Sequence, residues 1–184
     1  AGWVSQTLML FMVAMLQRTV SDTRLLLYKK ILWANLISAV GMLITFSIQG
    51  YGFFSISFST ASIFIAFFFS FQFAADLKKA THVQQKNWFY AGLLFNILST
   101  IGTASLVFMM VNKHIPQHAY LASVYWYLHF QYNGWFFFTC MGLLIFYLTA
   151  VLQMPVPSSK IFWLFAGSCI PAYGLSVLWI KLPI

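Results

Sequence analysis

Acidic residues are almost missing from this chain. Its 184 residues contain two, Asp22 and Asp76, and all charged types together make up 7%. A soluble domain carries about a quarter charged residues, so an ordinary water-facing surface is excluded. Cysteine is as scarce. Cys140 and Cys169 both fall inside apolar runs and have no CxxC spacing. That argues against a disulfide framework or a thiolate metal site and leaves small buried core residues. Internal repeats, low-complexity tracts and long linkers are also lacking, so residues 1–184 read as a single transmembrane helical bundle.

What is present in excess is hydrophobic residues, at 61%, and aromatic ones, at 20%. The partner this composition implies is the lipid bilayer, and the chain reads as a polytopic membrane protein. A net charge of +8 would suggest nucleic acid in a soluble domain. Here the basic residues sit in short links between apolar runs, where they set orientation, so no nucleic-acid partner is expected. The first apolar segment has no basic stretch in front of it, unlike a signal peptide. The chain is therefore expected to be part of a larger protein.

Stretches near the membrane-spanning length of about 20 residues fall at Ala1–Leu16, Ile31–Ile48, Gly52–Ala75, Trp88–Val111, Val124–Leu152 and Ile161–Ile180. Lipid admits only helices or closed barrels, and continuous runs of this length lack the short alternation of a barrel. The expected fold class is all-α, a polytopic transmembrane helix bundle with about six spans. The link Gln17–Lys30 has room for a short interfacial helix.

Arg18, Arg24, Lys29, Lys30, Lys78, Lys79, Lys86 and Lys160 fall on one side of these spans, and only Lys113 and Lys181 on the other. The positive-inside rule then makes Arg18–Lys30, Asp76–Asn87 and Gln153–Lys160 cytoplasmic links of a multi-pass membrane protein. Asp22 and Asp76 are expected in those links, which leaves no carboxylate in any span and argues against a carboxylate proton relay. Trp33, Trp88, Tyr90, Tyr120, Tyr125 and Trp126 lie near span ends, as interfacial belt residues do.

Function is to be sought at His129 and Asn133, an imidazole and a carboxamide one helical turn apart inside the run Val124–Leu148. Polar groups at membrane depth cost several kcal/mol, roughly, unless partnered, so they face a bundle interior, a cofactor or a pathway. Helical spacing places Tyr125, His129, Tyr132, Asn133, Phe136 and Cys140 on one face, with Gln131 turned away. From spacing alone His129 is open to three readings: a packing hydrogen bond, a metal or cofactor ligand, or a pathway residue. His114 and His118 have metal-like HxxxH spacing. Pro116 between them spoils a helix, and both are expected in a solvated outer loop. His82, beside Gln84, Gln85 and Lys86, reads as a loop residue. Ser55, Ser59 and Ser62, and likewise Ser99, Gly102 and Ser105, are small residues suited to close helix packing. Pro171 should kink the last helix.

The string His129-Phe130-Gln131-Tyr132-Asn133-Gly134, followed by aromatic residues, resembles the sixth helix of subunit I in the haem–copper oxidase superfamily, closest to its nitric oxide reductase branch. There the pattern is H-x-x-x-E-G, and the histidine binds the non-haem metal facing a haem. That helix runs from outside to inside with its histidine in the outer half, as lysine counting gives for the fifth span here. Ala1–Leu10 and Leu128–Gly142 are also similar in wording to subunit-I-like membrane proteins of Bacteroidetes. The resemblance implies that these spans are similar to helices two to seven of a twelve-helix protein. It further implies His129 as a metal position, and His129, Tyr132 and Asn133 as cofactor-facing residues. Haem binding in the full-length form is implied, as are partners among respiratory membrane subunits or in the rest of the same protein.

The departures are chemical. The family's pair of adjacent histidines near the end of the seventh helix has no counterpart in Leu178–Ile184, and the reductase glutamate is Asn133. One histidine and a neutral amide do not make a three-histidine copper or iron site. Two functions of different class follow: a degenerate respiration-related subunit I, or a non-catalytic membrane subunit or small-molecule transporter with a polar cavity around His129. The sequence leaves open whether the chain is an enzyme.

Overall fold

The computed structural model describes residues 2–50, 52–112 and 116–178, and every element among them is helical, with no strand. In chain order these are α1 (Gly2–Leu16), α2 (Asp22–Gln49), α3 (Phe53–Lys79), α4 (Lys86–Val111), α5 (Gln117–His129), a π-helical segment (Phe130–Phe136), α6 (Phe137–Ala150) and α7 (Ser159–Ser176). The stretch from α5 through α6 is continuous over Gln117–Ala150. With α2, α3 and α4 it makes four helices long and apolar enough to cross a membrane, while α1 is apolar but shorter. The all-α helical bundle expected from composition is what the chain forms.

The helices overrun the apolar runs at their charged ends. Arg24, Lys29 and Lys30 belong to α2, Asp76, Lys78 and Lys79 to α3, Lys86 to α4 and Lys160 to the first turn of α7. Hydropathy stops at the first charge, whereas the backbone ladder does not, since Lys and Arg are good helix formers. The links expected at Arg18–Lys30 and Asp76–Asn87 are accordingly short, and no separate interfacial helix lies between α1 and α2. His118 is also corrected from loop to helix. Pro116 precedes the first turn of α5 at Gln117, a position where a missing N–H costs nothing. His114 lies outside the described residues.

Eight hydroxyls of the apolar helices are satisfied locally. Thr45, Ser47, Ser57, Thr60, Ser70, Ser105, Ser123 and Thr149 each donate to the carbonyl four residues back. This is the inexpensive way to carry a hydroxyl through hydrocarbon.

Contacts group the chain into two compact units, Ala1–Lys86 and Asn87–Ile184. In the first, α1 and α2 pack antiparallel, joined by Asn35 donating to Gln6 Oε1 at 2.7 Å and Gln6 donating to the Leu32 carbonyl at 3.2 Å. Between α2 and α3, Gly41 lets the Phe58 ring lie on the backbone and Ser38 donates to the Phe58 carbonyl. Both acids, expected as loop residues, are helical: Asp22 is the first residue of α2, and farther along the α2–α3 interface is Asp76. It lies in α3, 4% exposed, where one oxygen accepts from Arg24 Nη2 and Tyr28 Oη, each at 2.8 Å, and from Arg24 Nε at 3.2 Å. Arg24 Nη1 also donates to Gln72 Oε1 at 2.7 Å. A carboxylate therefore lies within an apolar helix, near its end, with its Oδ2 partnered by Arg24 and Tyr28. At the links, His82 meets Thr19 Oγ1 at 3.3 Å.

In the second unit α4 runs antiparallel to the α5–α6 helix. Phe89, Gly92, Phe95, Ser99 and Gly102 face Gly142, Thr139, Gly134, Gln131 and Tyr127 in turn. Glycines make this seam close: a Cβ on Gly134 would overlap the Phe95 side chain, and one on Gly102 would lie 2.8 Å from Tyr127 N. Helix α7 closes the other flank. Phe162 packs on Trp88 and Phe138, and Tyr173 on Trp126 and Phe130. Trp88 (5% exposed) and Trp126, whose indole donates to the Leu98 carbonyl at 2.9 Å, are thus packing residues, whereas Trp33 stays 65% exposed.

Candidate functional site around His129

The site begins with a change of helical pitch. After His129 the ladder widens, and Phe137 N–H reaches back five residues to Tyr132 O as well as to Gly134 O. Such π-segments are rare and frequent at functional sites. Gly134 within it, pressed against Phe95, keeps this wide turn close to α4.

His129 is buried, at 6% exposure. Its Nε2 lies 2.8 Å from the Cys169 carbonyl oxygen on α7. A carbonyl only accepts, so Nε2 carries the proton and Nδ1 carries the lone pair. Asn133 Nδ2 donates to that Nδ1 at 3.2 Å. The clasp is reciprocal, because the Cys169 thiol in turn donates to the Asn133 carbonyl at 3.7 Å. Tyr173 adds a third tie through its hydroxyl to the Ala122 carbonyl at 3.1 Å. Pro171 leaves the Gly167 carbonyl without its usual donor four residues on, but it is the Cys169 carbonyl that His129 uses.

The expected polar stripe divides. His129 turns inward, Tyr132 is 50% exposed, and Asn133, Tyr125 and Cys140 are exposed as well. Gln131, expected to turn away, is 6% exposed and accepts from Ser99 Oγ at 3.0 Å. This helix is flanked by both α4 and α7, so its buried arc is wide. His129 serves one flank and Gln131 the other. Spacing about one face could not separate these two directions; the serine at Ser99, midway along α4, was the available signal for the second.

Beside His129 lies a cavity of about 200 Å³, open on one side, with His129 and Asn133 from one helix, Ser168 and Cys169 from α7, and the rings of Phe137 and Phe165 among its walls. No charged side chain lines it.

The donor set does not fit the metal that the sequence resemblance implies. The imidazole has one lone pair and Asn133 occupies it. No group of three His, Cys, Asp or Glu side chains among the described residues is placed to hold an ion, and such a centre needs about three protein ligands. A cavity of 200 Å³ is also below the range of about 300–1,000 Å³ typical of sites for drug-sized ligands, so it does not enclose a porphyrin.

No protein-family model, curated protein or solved structure matches this chain.

Proposed function

We propose that this chain is a non-catalytic membrane module, built on the plan of a haem–copper oxidase subunit I, in which the His129–Asn133 pair lines a small-molecule cavity in place of a metal centre. The observation that carries this reading is that both ring nitrogens of His129 are engaged, Nε2 by the Cys169 carbonyl and Nδ1 by Asn133. A ligand histidine offers a free lone pair and uses its other nitrogen for orientation. Here the orientation is present and the lone pair is taken. The links at 17–21, 80–85 and 151–158 are assigned to the cytoplasmic side from the basic residues around them, and to that of a bacterial inner membrane from the family resemblance.

A second reading, haem binding by the full-length protein with ligands from outside this chain, is favoured by the H-x-x-x-N-G string and the π-segment that holds it. An optical spectrum of protein purified from haem-replete cells separates the two. The cavity reading gives no Soret band. A Soret band that shifts on reduction would establish the second reading. The first reading also expects no consumption of oxygen or nitric oxide by the chain with haem and copper supplied, and a rate abolished by His129→Ala would overturn it.

A further inference from the structure

The chemistry of the cavity walls defines what it can take, and this step rests on the cavity reading above. Its volume is about 200 Å³. An apolar cavity of about 150 Å³ in another protein holds benzene, so there is room here for one six-membered ring and one or two further heavy atoms. Three walls are the rings of Phe137, Phe138 and Phe165, which suit an aromatic guest in offset or edge contact. The polar atoms are all uncharged. Ser168 donates its proton to the Phe165 carbonyl at 3.0 Å and presents oxygen lone pairs. Asn133 spends one of its two N–H groups on His129 and keeps the other, and its Oδ1 accepts from none of the described residues. The His129 N–H is committed to Cys169. The cavity thus lacks charge and presents two acceptors and one remaining amide N–H, so the guest that complements it is neutral and brings a hydroxyl, which both donates and accepts.

We propose that the His129 cavity is a binding site for a single-ring aromatic alcohol, a molecule of phenol size and chemistry that partitions into the membrane. The ring lies among the three phenylalanines and the hydroxyl donates to Asn133 Oδ1 or Ser168 Oγ. Benzene-sized hydrocarbons fit by volume but leave both acceptors unmet, so the hydroxyl should improve affinity about two- to tenfold, the range of one net hydrogen bond.

The test uses the full chain in lipid nanodiscs with 4-fluorophenol as the probe and fluorine NMR as the readout, and 4-fluorotoluene as the hydroxyl-free comparison. Bound 4-fluorophenol should be displaced saturably by unlabelled phenol, and 4-fluorotoluene should bind more weakly. Ala172→Phe, which fills the cavity from α7, should abolish the saturable signal. Ser168→Ala and Asn133→Leu should each narrow the preference for the hydroxyl. Displacement in the unsubstituted chain is informative even where a variant fails to assemble. Linear, non-saturable uptake equal to that of empty nanodiscs, or equal affinity for the two probes, overturns the proposal. Failure here with a spectrum lacking a Soret band removes only the aromatic alcohol, whereas a Soret band removes the cavity reading itself.

Discussion

At the scale of single residues, Gly134 and His129 make the sharpest demands. Gly134→Ala places a methyl where the Phe95 side chain already lies; overpacking of this kind costs typically about 1–3 kcal/mol. We expect a lower melting temperature in detergent for Gly134→Ala, partly restored by Phe95→Leu, which clears space. A neutral response to Gly134→Ala would mean that the π-turn does not press on α4. His129→Ala strips the Asn133 amide and the Cys169 carbonyl of a shared partner, a loss of about 1–3 kcal/mol for a buried unsatisfied group. His129→Gln restores a donor toward α7 and should recover part of it. The inward direction of His129 was legible because a lone imidazole in an apolar run has to be partnered. The exposure of Tyr132, and of Asn133 even as it reaches His129, was not. Assigning them inward assumed an α-helix with one buried face, and the backbone there is π-helical between two neighbours.

Among elements, the α2–α3 contact carries the one ion pair seen in the described residues, and it is asymmetric: Asp76 is 6% exposed at its side chain, Arg24 33%. Removing Arg24 leaves a buried carboxylate with Tyr28 alone. Fully buried pairs lose about 3–5 kcal/mol on such a deletion; with Arg24 a third in solvent we expect about 2–3 kcal/mol for Arg24→Ala. Arg24→Lys should fall between, since an ammonium cannot supply the fork that reaches both Asp76 and Gln72. Thermal unfolding of the three proteins gives the order, and equal stability of Arg24→Ala and the unsubstituted chain would show the pair to be inert. Hydropathy hid this pair because it reads every charge as the end of a span. A guanidinium and a carboxylate that pair across two helices extend both helices past that point.

At the scale of the whole chain, helix number and order followed from the long apolar runs, because nothing but helices fits such runs in lipid. The pairing of helices into two compact units could not be read there, since apolar runs carry no address for one another. That address lies in glycines and single polar groups such as Gln6, Asn35, Ser99 and Trp126. The sidedness assigned from basic residues has a direct check. Single cysteines at Thr81 and Gln117, each in a chain with Cys140 and Cys169 replaced by Ala, should react with an impermeant maleimide from opposite sides of sealed vesicles. Reaction from one side would reverse or break the assigned topology.

The wide turn at Phe130–Phe136 also bears on how relatives of this chain will align. A π-turn is an α-helix holding one residue more than its hydrogen-bond ladder needs. A relative with an ordinary helix here should show a one-residue gap between the histidine and the aromatic run Trp135–Phe138, with both flanks in step.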